Sequence, residues 1–208
     1  MKKHLYRHCA EAKSRVGRQT IQLTGSNPVD ETLSVKGLRL EISNARRSPP
    51  TEDEIRGIIE IEHRPEVQKW LTEYVGPDPE KEFQSYQRFF RNLPKNKRVE
   101  VLIAKSDGRP AGFLALWRLG RYMKHVASLG LSIHPDYWGA GIATELVESA
   151  IETAKEKGFK RLEIETLAEN TAMRRVAEKT GFKLECVRRR RIWKDGAYHD
   201  ESAYSLLL

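Results

Sequence analysis

The chain has 208 residues, 39% of them hydrophobic and 32% charged, with 37 Lys and Arg against 29 Asp and Glu for a net charge of +8. That length suits one medium domain plus an extension, and the composition is that of a soluble globular protein, with no apolar run near the roughly 18–20 residues a bilayer crossing needs. Cys9 and Cys186, the only two cysteines, exclude a disulfide-stapled scaffold and read as free thiols of a reducing, cytoplasmic compartment; the basic start of the chain has no apolar segment of the kind a secretion signal carries.

In chain order, residues 1–36 read as a basic N-terminal extension, in which Lys2, Lys3, Arg7, Lys13, Arg15, Arg18 and Lys36 stand against Glu11, Asp30 and Glu31. Such a tail is expected to be a solvated arm, with an arm that binds nucleic acid as the alternative. His4, His8 and Cys9 lack a fourth partner and are not expected to hold a metal. The domain proper, residues 37–208, opens with a strand through Leu38, Leu40 and Ile42. After a turn at Ser48, Pro49 and Pro50, Thr51 and Glu54 make a capping box for a helix reaching about His63. A second helix is predicted over residues 65–74. Gly76, Pro77 and Pro79 then break the chain before a third helix, which runs to about Leu93 with Phe83, Tyr86, Phe89 and Phe90 at helical spacing, a core stripe. Residues 99–104 and 111–119 read as a hairpin turning at Ser106, Asp107 and Gly108.

The next stretch, residues 129–157, organises the rest. Leu129, Leu131 and Ile133 alternate with Gly130, Ser132 and His134 as in a strand, and Pro135 ends the pairing. Gly139 and Gly141 follow, and from Ile142 apolar residues recur at steps of three and four until Gly158 supplies a C-cap. A glycine turn opening a helix gathers unpaired backbone N–H groups and the positive end of the helix dipole around one point. That arrangement favours an anion, best a phosphate. It is neither a Walker A loop, since no Lys and Ser/Thr pair follows Gly141, nor the dinucleotide motif, whose third small residue is missing. Residues 161–167 then form a strand, Asn170 opens a helix that Gly181 ends, and residues 183–193 and 197–207 make a closing hairpin through Asp195 and Gly196.

The run Trp138, Gly139, Ala140, Gly141, Ile142, Ala143, Thr144 resembles the pyrophosphate-binding loop of the GCN5-related N-acetyltransferases: Gln or Arg, two variable residues, Gly, one variable residue, then Gly or Ala. Trp138 stands here for the Gln or Arg. The flanking HPDYW and ATEL bring it nearest the branch that acetylates ribosomal-protein N-termini, and residues 170–182 (NTAMRRVAEKTGF) resemble the second family motif. The resemblance covers residues 38–208. It implies the acyl-CoA N-acyltransferase fold: α/β (α+β), a mixed, mostly antiparallel sheet of six to seven strands with helices on both faces and a splayed central strand pair.

It also implies acetyl-CoA as co-substrate and no metal. The amides of Gly139, Gly141, Ile142 and Ala143 would hold the pyrophosphate, with Thr144 adding a hydroxyl. Leu131, Ser132 and Ile133 would pair with the pantetheine as an extra strand, the Leu131 N–H polarising the thioester. Asn170 would reach the pantetheine arm or serve only as a helix cap. In this fold the early helices wall the acceptor groove, so one or two of their aromatic rings are expected at the acceptor. Three side chains common in the family are replaced: Ala177 stands where a Tyr acid is usual, Met173 where a Ser is, and Ser128 where a Glu is. Candidate bases are then Glu163 or Glu165 through water, or His125, and candidate acids are Tyr137, Tyr198 and Tyr204. Arg188 to Arg191, two pointing each way on a strand, read as surface charge. The expected function is direct acetyl transfer from acetyl-CoA to a primary amine, on a protein N-terminus, a peptide or a small amine. The alternative is a catalytically weak CoA-binding module whose basic arm docks on RNA or the ribosome. A homodimer and a nucleic acid or ribosome partner are compatible with these readings, and no membrane is expected.

Overall fold

The computed structural model describes residues 31–35, 37–73 and 75–208. The arm up to residue 30, with His4, His8 and Cys9, lies outside the described residues, as do Lys36 and Tyr74.

Each predicted element forms where its local chemistry directs. Strand β1 (Glu31–Val35) leads to β2 (Leu38–Asn44). Helix α1 (Glu52–His63) starts at Thr51, whose hydroxyl accepts the Glu54 N–H while the Glu54 carboxylate accepts the Thr51 N–H at 2.8 Å, the expected capping box. Helix α2 spans Pro65–Gln68, and α3 (Pro79–Asn92) starts at Asp78, whose carboxylate takes the N–H groups of Glu80 and Lys81. Strands β3 (Val99–Ser106) and β4 (Arg109–Arg118) meet at Asp107 and Gly108, both with positive φ, the conformation a two-residue hairpin turn requires. Strand β5 (Val126–Ile133), helix α4 (Ile142–Glu156), β6 (Arg161–Leu167), α5 (Thr171–Lys179), β7 (Lys183–Lys194) and β8 (Ala197–Leu207) follow.

Among the described residues the eight strands form one sheet in the order β1-β2-β3-β4-β5-β6-β8-β7, antiparallel throughout except for the parallel β5–β6 pair. The seven strands expected at most are joined by β1, whose residues fall in the stretch read as extension and pair with β2 from Glu31↔Ile42 to Val35↔Leu38. Strand β3 shows why both faces are covered. Leu102 and Ala104 point into a core with Ile142, Leu146, Val147 and Ala150 of α4, whereas Val99, Val101 and Ile103 point into a second core with Ile55 and Ile59 of α1 and Phe83 and Phe90 of α3. The aromatic stripe is therefore core at Phe83 and Phe90, with Tyr86 and Phe89 packed half-buried at its margin.

Two local expectations change. The helix predicted over 65–74 ends at Gln68, and the turn beyond it presents the carbonyls of Gln68 and Leu71 to the Lys194 ammonium. Simple alternation also fails at Arg188 to Arg191. The β7–β8 register shifts between Arg188 and Ile192, Arg190 takes φ +52, and its N–H bonds the Asp200 carboxylate at 2.8 Å. No described helix is long and apolar enough to cross a membrane.

Candidate active site

Strand β5 pairs with β4 along Ala127 to Ile133, but with β6 only from Val126↔Arg161 to Leu129↔Ile164. Beyond Leu129 the two parallel strands part. The edge of β5 facing β6 over residues 130–133 therefore offers its amides and carbonyls to an added extended chain, and the opening is the splay expected of the central pair. Gly130 sits at the parting with nothing within 4 Å of where a Cβ would stand, so the cleft stays clear there.

The strand runs straight into the glycine turn. Gly139 takes φ +75 and Gly141 φ +97, left-handed values that a Cβ would make costly, and Gly141 is the N-cap of α4. The first-turn amides of Ile142 and Ala143 have no carbonyl a turn earlier to bond. The Ala140 N–H is taken by the Tyr137 carbonyl at 3.2 Å and that of Thr144 by the Gly141 carbonyl at 2.9 Å, so these two residues shape the loop with their amides already used. Trp138 earns its place through its ring: the indole N–H donates to the Ile133 carbonyl at 2.9 Å and fastens the loop to the end of β5. An unpaired strand edge beside a helix N-terminus fits a ligand with an amide-bearing arm and a diphosphate. Among the described residues no group of His, Cys, Asp or Glu is arranged to hold a metal.

The catalytic candidates scatter. Glu163, in register with Ser128, is bonded by Arg161 Nε at 2.6 Å, and Arg161 also grips Glu185 through both terminal nitrogens. Hydrogen bonds to Glu185 and Glu163 hold the Arg161 guanidinium above its ordinary value, and Glu185 is held below its own. Glu165, on β6 just past the parting, pairs with Arg188, which also reaches Glu201 at 2.6 Å. Tyr204 is 1% exposed, and its hydroxyl is occupied by Arg174 Nε and the Glu178 carboxylate, each at 3.1 Å. Tyr198 is exposed on the closing hairpin against Trp193, ring centroids 4.6 Å apart. Tyr137 packs edge-on against His134 beside the glycine turn. His125 is exposed just before β5 begins, about 26 Å of strand from Ile133 at roughly 3.3 Å per residue. Asn170 caps α5, its carbonyl oxygen accepting the Met173 N–H at 3.0 Å. The structure thus places Glu165 just past the parting and Glu163 one pair before it, still in register with Ser128, and leaves His125 at the far end of the sheet.

Three features escaped sequence reasoning because their partners are far apart in the chain. Arg64, between α1 and α2, donates from Nη2 to His134 Nε2 at 3.2 Å, joining the helix side to the start of the loop; its Nε is buried without a partner. On the loop side, His134 Nδ1 accepts the Asp136 N–H at 3.3 Å, with the Asp136 carboxylate 3.7 Å away. Glu62 on α1 accepts a short hydrogen bond from the Tyr86 hydroxyl of α3, next to a His63–Glu82 pair at 2.7 Å. Burial pushes the Glu62 carboxyl above its usual range, against the pull of the Tyr86 bond, and burial likewise raises the Tyr86 hydroxyl. Third, Lys194 ties the tip of the β7–β8 hairpin to the turn after α2.

Comparison with known proteins agrees with this geometry. The acetyltransferase (GNAT) domain family matches residues 47–183. A Bacillus subtilis protein whose name provisionally assigns it alanine N-acetyltransferase activity on ribosomal protein bS18 is 28% identical over 95 residues, 46% of this chain and 61% of its own length. The chain thus spans about three fifths of that curated relative. Among solved structures, a ribosomal-protein-S5-alanine acetyltransferase from Vibrio fischeri superposes with a TM-score of 0.68 at 17% identity, over 81% of this chain and 92% of that one. A provisionally named Salmonella typhimurium acetyltransferase solved with its cofactor acetyl-CoA gives a TM-score of 0.65 at 16% identity, over 81% and 94%.

Proposed function

The chain belongs to the GNAT acetyltransferase family, and from that premise we propose that it transfers an acetyl group from acetyl-CoA to the α-amino group of a protein or peptide N-terminus. The observation that carries the reading is the junction of two features: the unpaired β5 edge over residues 130–133, and the Gly139–Gly141 turn at the head of α4. In this reading the amides of Gly141, Ile142 and Ala143 hold the diphosphate under the helix dipole, and the backbone of Leu131, Ser132 and Ile133 binds the pantetheine amides. Acetyl-CoA supplies an activated acyl carbon as its thioester. The Leu131 N–H, aimed into the cleft, stabilises negative charge on the acyl oxygen, and the Asn170 amide nitrogen faces the pantetheine arm.

The acceptor follows from what the cleft lacks. Glu163 and Glu165 are both engaged by arginines, so neither carboxylate stands free to take a proton from the acceptor directly. A site of this kind depends on an amine that is already neutral. An N-terminal α-amine titrates near 7.7–8.0 and is substantially neutral at physiological pH, whereas a lysine amine near 10.4 is neutral roughly one time in a thousand. The names of ribosomal-protein acetyltransferases among the proteins it resembles support the same choice. Thiol release from acetyl-CoA, measured over peptides with free N-termini, N-blocked peptides carrying lysine, and small alkyl amines, tests the reading. Turnover should require the free N-terminus. Equal or faster turnover of the blocked lysine peptides contradicts it.

A further inference from the structure

At the end of the sheet opposite the glycine turn, the β4–β5 connection and the start of β3 enclose a hollow of about 700 Å³ lined by Arg98, Arg118, Arg121, Tyr122 and Lys124 among others. A second hollow of about 370 Å³ shares Arg98 and Arg118 with it and adds Lys97, Arg46 and Lys157. The two hollows adjoin at Arg98 and Arg118, and this basic groove carries seven cationic side chains. Its single lining carboxylate, Glu100, is 7% exposed and already paired with Arg46 at 3.1 Å and Lys157 at 3.3 Å. The other five cations make no ion pair with a described carboxylate. This contrasts with Arg161 and Arg188, which each hold two carboxylates.

The groove is also fixed in shape. Arg118 donates to the carbonyls of Lys124 and Lys157 and lies 4.0 Å over the Phe159 ring, so its charge is held at the floor by neutral partners. Arg121 adopts φ +51, and the short turn it opens leaves Tyr122 95% exposed with nothing covering its ring. An unopposed line of guanidinium and ammonium groups along a concave track, with an aromatic face raised beside it, matches a nucleic acid strand: phosphates along the groove, a base against the ring. It does not match a bilayer, which would need a flat face with an apolar helix. The cofactor's own phosphates cannot account for it either, because the fifteen residues of α4 set the glycine turn about 22 Å from Lys157 at 1.5 Å per residue.

We infer that this groove, built from described residues, binds single-stranded RNA at a site separate from the acetyl-transfer cleft. The test uses the full chain and a fluorescein-labelled single-stranded oligoribonucleotide of mixed sequence, with anisotropy recorded between about 50 and 200 mM salt. Wild type should bind with a steep salt dependence. Arg98→Glu with Lys124→Glu should weaken binding at least about tenfold and flatten the salt slope by roughly 1 to 2, while Tyr122→Ala should weaken it several-fold with little change of slope. Lys97→Glu with Arg121→Glu, on different exposed positions, provides a second charge reversal should the first disturb folding, and acetyl-CoA affinity checks the fold of each. Undiminished RNA binding in both reversals, loss of binding only on removing residues 1–30, or tighter binding to phosphatidylserine vesicles than to RNA would overturn the inference.

Discussion

Glu62 is a half-buried carboxyl with more negative than positive company. Glu82 and Glu73 raise it further after burial itself, while His63 and the Tyr86 hydroxyl oppose them. Its folded pKa therefore lies above the unfolded value of 4.5. The folded state binds the proton more tightly, so stability falls as pH climbs from that value through the raised one, and below it the penalty vanishes. Replacing Glu62 with Gln keeps an acceptor for the Tyr86 hydroxyl and removes the charge. The variant should melt a few degrees above wild type at pH 8, since about 1 kcal/mol moves a domain of this size by roughly 2–4 °C, and the difference should close by pH 4. Equal melting temperatures at pH 8, or a lower one for the variant, would contradict this account. At this scale the sequence is legible only where chemistry is local. The left-handed glycines at 139 and 141 could be foreseen from the turn they build, whereas the Arg188–Glu165 and Arg161–Glu185 pairs join strands 23 and 24 residues apart and leave no periodic trace.

Helices and strands follow local rules where they carry their own signals, and depart from them where a distant element intervenes. The Thr51–Glu54 box starts α1 and Asp78 starts α3 as the residues dictate. The end of α2 is set from elsewhere: Lys194, on a hairpin more than a hundred residues further on, bonds the Gln68 and Leu71 carbonyls and gives the turn after Gln68 a partner that no helix would need. The same tie holds the hairpin to the helices that, in the proposed reading, wall the acceptor groove. Lys194→Met, which keeps the aliphatic stem and loses the ammonium, should leave acetyl-CoA affinity within twofold of wild type and raise KM for a peptide acceptor several-fold. Calorimetry and steady-state kinetics on the same preparation separate the two effects, and a loss of acetyl-CoA affinity with acceptor KM unchanged would count against this role. Strand β1 shows the opposite limit. Five residues of modest alternation form a strand because β2 presents an open edge, a fact of the assembled sheet and not of residues 31–35 alone.

For the molecule as a whole, alternation on β3 requires cover on both faces, and the helices on either side of it meet that requirement with two separate cores. The mixed sheet and its splay could be expected from a resemblance resting on the glycine turn and the Asn170 helix. The identity of the proton donor and acceptor could not, because the family side chains expected in those roles are replaced by Ser128, Met173 and Ala177 and the nearest carboxylates are bound to arginines. One chain then presents two poles: a polar cleft where β5 and β6 part, and a cationic groove at the other end of α4. The central claim is that the cleft is the acetyl-CoA site. Amide hydrogen exchange with and without acetyl-CoA addresses it across the whole chain in one experiment. Slowed exchange confined to residues 130–133 and 139–144, with residues 118–125 unchanged, is the predicted result; no protection in those two stretches, or protection appearing at 118–125 instead, would contradict it.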